Sequence, residues 1–294
     1  MKKLYGIMPP IVTPFVNGEL AIDKLEFNIN KWNKTELSGY VVMGSNGESV
    51  FLTREEKLKL VEAAKKFSSE NKLIIAGTGS DSIKETIALT NDAAERGADF
   101  ALVLTPSFYK SEMKHASYVK YFTMAADAVK IPVIIYNVPK FTGVDIEVET
   151  VAELSAHPNI AGIKNSSENS RQNTEFVSNT KKDFAVIVGT ASMIFPGITC
   201  GAAGGIVALA NIAPNECVQI QKLIENGKLN EALELQQKMI PVNKAVTAKY
   251  GVAGLKAAMD MLGYFGGEPR APLSGLADPD KENIKKILAH AGLV

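Results

Sequence analysis

Cysteine is nearly missing from this 294-residue chain, which holds only Cys200 and Cys217. An isolated pair makes neither a disulfide framework nor a metal spacing, so a reducing, cytoplasmic compartment is expected. Histidine is almost as rare. His115, His157 and His290 lie far apart, and no HxH, HExxH or CxxC occurs, so no metal site is expected. Arginine appears only as Arg54, Arg96, Arg171 and Arg270, which confines bidentate recognition of carboxylate or phosphate to very few places. Neither sign of charge is in excess, with 32 basic and 32 acidic residues. No global field therefore recruits nucleic acid or an anionic membrane surface. Long apolar runs are missing too: nothing approaches the roughly 20 residues of a membrane span. Pro9, Pro10 and Pro14 interrupt the stretch where a signal core would lie, so an intracellular, soluble protein is expected.

What is present is a periodic alternation. Eight short runs rich in Val, Ile, Leu or Ala recur at Gly6–Val12, Gly39–Met43, Leu73–Ala76, Phe100–Leu104, Val133–Tyr136, Ile160–Ile163, Ala185–Val188 and Gly205–Leu209. They are apolar on both faces, as strands of a fully covered parallel sheet must be. Amphipathic segments lie between most of them. In Thr53–Ser69 a threonine and two glutamates open a helix, and Asp81–Gly97 starts on Asp81 or Ser82 and stops at glycine. A repeat of roughly 30 residues fits one βα unit, and eight units close a (β/α)8 TIM barrel of the α/β class. A doubly wound open sheet is the alternative, but Gly77-Thr78-Gly79-Ser80 lacks both the third glycine of a dinucleotide turn and the lysine of a P-loop. The tail reads as helices only: Asn215–Asn226, Lys228–Met239, Pro241–Leu262 with Pro241 at a helix start, and Pro279–His290. The expected division is a barrel over 1–213 and a C-terminal helical extension over 214–294.

Active sites of such barrels lie at the C-terminal ends of the strands. Of the eight predicted ends, one carries a cation, Lys164, which closes an otherwise apolar strand. Desolvation favours the neutral, nucleophilic amine of a lysine; the competing reading is a lysine that snorkels to solvent. Tyr136 ends the preceding strand, and neighbouring strands lie about 4.8 Å apart, so phenol and amine can meet. A Schiff-base aldolase needs both groups, the lysine to withdraw electrons from C2 of a 2-oxo acid and an acid/base to shuttle protons. Gly44-Ser45-Asn46-Gly47 can cradle a carboxylate through its amides and the Ser45 hydroxyl, or serve as an ordinary turn. Glu48 is read as holding that turn.

Gly44-Ser45-Asn46-Gly47-Glu48-Ser49, Tyr136-Asn137-Val138-Pro139 and Gly162-Ile163-Lys164-Asn165-Ser166-Ser167 resemble, in order and spacing, the signatures of the dihydrodipicolinate synthase/N-acetylneuraminate lyase family. The resemblance implies a (β/α)8 barrel with a helical extension, a lysine Schiff base with pyruvate or a related 2-oxo acid, no cofactor, and a homodimer or homotetramer. It makes Lys164 the Schiff-base lysine, Tyr136 the proton-transfer phenol and Ser45 a member of the hydroxyl relay. Asn46, Ser166, Gly189 and Ile206 match positions near substrate, and Phe108 or Tyr109 matches the tyrosine that the family lends across a dimer interface. Dihydrodipicolinate synthases place an arginine two residues after the Tyr-Asn-Val-Pro signature to bind the acceptor carboxylate; here Lys140 and Phe141 follow, which argues against aspartate semialdehyde. Thr190-Ala191-Ser192 stands where sialic-acid lyases carry acidic residues, which argues against sialic acid. The turn at Gly44, Ala208–Asn211 and Tyr264–Leu273 resemble the 4-hydroxy-2-oxoglutarate aldolase branch most. The expected activity is therefore cleavage of a 2-oxo-4-hydroxy acid to pyruvate and an aldehyde. Dihydrodipicolinate synthesis is the alternative, with N-acetylneuraminate lyase or a non-catalytic 2-oxo-acid-binding barrel behind it.

Overall fold

The computed structural model describes residues 2–294. Eight parallel strands form one sheet: Gly6–Met8, Gly39–Val42, Leu73–Gly77, Phe100–Leu104, Val133–Asn137, Ile160–Asn165, Ala185–Val188 and Gly204–Ile206. The second to the eighth pair in chain order, and the first pairs with the eighth through Gly6↔Gly204 and Met8↔Ile206. Pro9 and Pro10 follow the first strand directly and have no amide to donate, which ends it earlier than its apolar run suggests. Closure onto the second strand then runs through the donors that remain: Ser38 N donates to Ile7 O at 2.9 Å, Val41 N to Pro9 O at 3.0 Å, and Ile11 N to Val41 O at 2.9 Å. The (β/α)8 barrel expected from the period is the observed fold.

Successive side chains of a strand point to opposite faces, and the packing follows that rule. Met8, Val41, Ile75, Leu102, Ile134, Tyr136, Ile187 and Ile206 share the cluster inside the barrel. The alternate positions Val103, Val133, Ile135, Ile163 and Val186 pack under the helices. Lys164 follows the outward-facing Ile163, so it takes the inner parity.

The surrounding helices start where local chemistry says they should. Thr53 and Glu56 form a reciprocal capping box at the head of Arg54–Phe67, and the Ser82 hydroxyl accepts Glu85 N at the head of Ile83–Glu95. Pro214–Glu225 packs against the first strand and against Ile194–Thr199, the place of the eighth barrel helix. We propose that the division between barrel and extension falls after this helix rather than at residue 213. The extension consists of Leu229–Lys244, a π-helical turn Ala245–Lys249, Gly251–Met261 and Asp278–His290. Pro241 does not start a helix. It lies inside Leu229–Lys244 on the exposed face, where water can satisfy the carbonyl its missing amide leaves free. Met239, Val242, Leu255, Met259, Ile284 and Leu288 join Leu25, Trp32 and Leu209 of the barrel in one continuous core. Among the described residues no helix is long and apolar enough to cross a membrane.

Candidate active site

Tyr136 and Lys164 are register partners on the fifth and sixth strands, and both sit inside the barrel mouth. The ammonium of Lys164 lies 4.2 Å from the centroid of the Tyr136 ring. Lys164 is 3% exposed, and no carboxylate of the described residues pairs with it. The Tyr136 hydroxyl is 3.2 Å from Ser45 Oγ. An amine, a phenol and an alcohol from three separate strand ends thus form one contiguous row.

A cavity of about 740 Å³ opens over this row. Ser45 and Tyr136 line it, with Gly77, Leu104, Ser107, Val138 and Phe141 from the barrel and Thr247, Lys249 and Tyr250 from the extension. Lys164 is not part of the lining; the Tyr136 ring against which its ammonium rests is. The other expected positions are spread more widely. Asn46 sits in the single turn Ser45–Gly47, half-buried. Ile206 is fully buried in the barrel interior. Ser166 follows Lys164 and is tied to Asn137 O by its amide at 2.8 Å. A Cβ on Gly189 would meet Ser166 Oγ at 2.0 Å and its Cα at 2.7 Å, so the seventh strand can end beside Ser166 only on a glycine. Phe108 and Tyr109 are 78% and 70% exposed. They pack edge-to-face on each other at 5.1 Å, and Asp81 anchors their loop by accepting Ser107 N at 2.7 Å and Phe108 N at 3.0 Å.

Two groups of residues hold the mouth together, and apart from Glu48 they were not singled out from the sequence. The first is amide-rich. Asn137 and Asn165, also register partners, follow Tyr136 and Lys164 and point outward. Asn137 Nδ2 donates to Asn165 Oδ1 at 2.9 Å and Asp145 Oδ1 at 2.6 Å. Asn165 Nδ2 lies within 3.0 Å of acceptors on Ser167, Gln172 and Asn173. This network, in which only the Asn173 amide nitrogen lacks a partner, fixes the two strand ends. The visible signal was an asparagine directly after each candidate catalytic residue.

The second group ties the C-terminal extension to the mouth loops. Glu48 and Met43, at the two ends of the Gly44–Gly47 turn, adopt left-handed backbone at φ 55° and 59°, a conformation that costs about 1–3 kcal/mol for a non-glycine residue. Glu48 is held there by Lys256, whose Nζ lies 2.7 Å from Glu48 Oε1 with both side chains at most 1% exposed. Glu48 Oε2 also accepts Arg270 N at 2.8 Å. Burial pushes the Lys256 ammonium pKa down, and the Glu48 carboxylate opposes that shift. Arg270 makes a bidentate pair with Glu56 at 2.6 and 2.8 Å and donates to Gly18 O and Phe51 O. On the other side, Asn243 Nδ2 donates to Thr190 Oγ1 at 3.1 Å and Ser192 Oγ at 2.9 Å. Glu48 thus holds the turn, as read from sequence, but its partners lie more than 200 residues away.

A (β/α)8 barrel with a buried lysine, a phenol and a hydroxyl aligned at its mouth defines a carbon–carbon lyase of the pyruvate-dependent class I aldolase type. The dihydrodipicolinate synthetase family matches residues 3–291, and the chain belongs to that family. A 4-hydroxy-tetrahydrodipicolinate synthase of Methanoculleus marisnigri is 34% identical over 98% of this chain and 99% of its own length. The crystal structure of dihydrodipicolinate synthase from Thermotoga maritima superposes with a TM-score of 0.95 at 28% identity, covering 100% of both chains. A monomeric dihydrodipicolinate synthase variant gives a TM-score of 0.94 at 28% identity over 99% of this chain and 98% of its own.

Proposed function

We propose that the chain joins pyruvate to an aldehyde through an imine at Lys164, as a dihydrodipicolinate-synthase-type aldolase. The amine adds to C2 of pyruvate, the carbinolamine loses water, and the imine gives up a C3 proton to become an enamine. The enamine carbon attacks the aldehyde, and water releases the product and restores the amine. Tyr136 and Ser45 pass the protons, since each step moves one between nitrogen, oxygen and carbon beside them. The observation that carries this reading is the row Lys164–Tyr136–Ser45, with the amine buried and free of a carboxylate partner.

Between the two directions of chemistry, the relatives favour synthesis: the one from Methanoculleus marisnigri is called a 4-hydroxy-tetrahydrodipicolinate synthase. The resemblance of the Gly44–Gly47 turn, Ala208–Asn211 and Tyr264–Leu273 to the 4-hydroxy-2-oxoglutarate branch carries less weight beside those relatives. Arg270 of the last segment binds Glu56 and backbone carbonyls, so that segment serves to hold the mouth loops. The exposed, mutually packed rings of Phe108 and Tyr109 support a homo-oligomer, because large aromatic side chains left exposed together commonly mark an interface. Sedimentation velocity checks that point.

Borohydride reduction in the presence of pyruvate tests the mechanism. A stable mass increment on the peptide carrying Lys164 is expected, and an unmodified Lys164 refutes the imine. Pyruvate consumption with aspartate semialdehyde, set against pyruvate release from 4-hydroxy-2-oxoglutarate, separates synthesis from cleavage.

A further inference from the structure

Three lysines line the cavity over Tyr136 and Ser45. Lys57, Lys140 and Lys249 line it, from the helix Arg54–Phe67, the turn after the fifth strand and the π-helical turn of the extension. Among the described residues none of the three has a carboxylate within ion-pair distance. Lys140 and Lys249 lie only over the rings of their own neighbours, Phe141 at 5.7 Å and Tyr250 at 4.7 Å. The acidic group that faces Lys57, Glu85, is shared with Arg54, which pairs with it directly. The one carboxylate in the lining, Glu48, is already neutralised by Lys256. A chain with equal numbers of acidic and basic residues therefore places three lysines without an ion-pair partner around one opening. Clefts lined by one sign of charge raise the local concentration of the opposite ion.

No arginine can do this work. Arg54 is paired as above, Arg96 donates to Asp92 O, Arg171 pairs with Glu175, and Arg270 is engaged with Glu56, Gly18 and Phe51. None of the four lines the cavity. The position two residues after the Tyr136–Pro139 signature is Phe141, itself in the lining.

We propose that Lys140, Lys249 and Lys57 form an anion-receiving rim that selects acceptor aldehydes bearing a carboxylate or phosphate at the end remote from the aldehyde carbon. This rests on the imine chemistry proposed above for Lys164. The π-helical turn is part of the device: it widens the backbone between Leu229–Lys244 and Gly251–Met261 and sets Thr247 and Lys249 over the mouth, a recurrent use of such turns at functional sites. Lysine point charges on flexible stems bind an anion without the fixed geometry of a guanidinium fork, so the rim sorts by charge more than by shape.

The test compares three short aldehydes of equal length, ending in a carboxylate, a phosphate or a methyl group, with saturating pyruvate. For the native chain kcat/KM is expected to be at least about tenfold higher for one or both anionic aldehydes, an advantage that shrinks as salt shortens the Debye length to about 3 Å at 1 M. Comparing the carboxylate and phosphate arms identifies which anion the rim takes. In the triple variant Lys57→Met/Lys140→Met/Lys249→Met that advantage falls by about tenfold through KM, while the uncharged aldehyde and borohydride trapping of pyruvate stay unchanged. Equal turnover of all three aldehydes, or an anion preference that survives the triple variant, overturns the rim even if Lys164 traps pyruvate. Calorimetric binding of succinate needs no turnover. If Lys164 traps nothing yet succinate binds and binding is lost with the three lysines, the rim stands and the imine reading falls.

Discussion

Replacing Lys256 by methionine strips the cation from Glu48 while leaving a side chain of similar length. Glu48 then keeps one donor, Arg270 N at 2.8 Å, and a fully buried carboxylate. Breaking a buried pair on one side costs about 3–5 kcal/mol, because the remaining charge stays desolvated and unpaired. An unfolding entropy of about 2.1 cal/mol/K per residue gives about 0.6 kcal/mol/K for a chain of this length, so the melting temperature should fall by about 5–8 °C. The loss should reach activity as well. With its holder gone, the left-handed residues Met43 and Glu48 can relax, and Ser45 drifts from its 3.2 Å contact with Tyr136. A misplacement of about 1 Å at a reacting group is worth about a hundredfold in rate. Calorimetric melting and single-turnover enamine formation read the two effects separately. Glu48→Gln in the Lys256→Met background removes the stranded charge and should recover much of the melting temperature without restoring the rate. If Lys256→Met melts like the native chain, or the double variant is no better than the single one, the pair does not hold the mouth and the reasoning fails.

Three further outcomes follow from contacts at the site. Tyr136→Phe should still trap pyruvate at Lys164 but turn over more slowly by about two to four orders of magnitude, the scale of lost acid/base catalysis; native kcat in that variant takes the phenol out of the mechanism. Gly189→Ala drives a Cβ into Ser166 and should destabilise by about 1–3 kcal/mol, read from denaturant unfolding, with an unchanged midpoint counting against the close approach. Arg270 beside Glu56 holds that carboxyl at about 2, below its ordinary 4.5. The pair's stabilisation is therefore complete above pH 4.5 and lost as pH falls toward 2. Glu56→Gln should lower stability at neutral pH and flatten the acid limb between those values, measured by circular dichroism; an acid limb identical to the native one contradicts the shift.

Much of the fold and the centre of the site can be read from local sequence. The βα period needs only apolar runs and helix caps a few residues apart, and the Thr53–Glu56 box is observed where the sequence puts it. The strand end at Lys164 and its inner parity follow from alternation, and the pairing with Tyr136 follows from chain order in a parallel barrel. Those features arise from interactions over a few residues or from the rule that consecutive βα units lie side by side, so sequence alone determines them. The holding contacts do not follow such rules. Glu48 meets Lys256 and Arg270, and Lys57 shares a cavity with Lys249, across separations of about 200 residues that leave no local pattern. Pro241 looks like a helix start because propensity counts the missing amide, yet packing of Met239 and Val242 into the shared core carries the helix through it. Sequence thus points to Lys164 and Tyr136 as the pair at the centre of the proposed chemistry. Only the tertiary structure decides which distant residues clamp the mouth and which cations line the cavity over it, because both depend on where the C-terminal extension folds back onto the barrel.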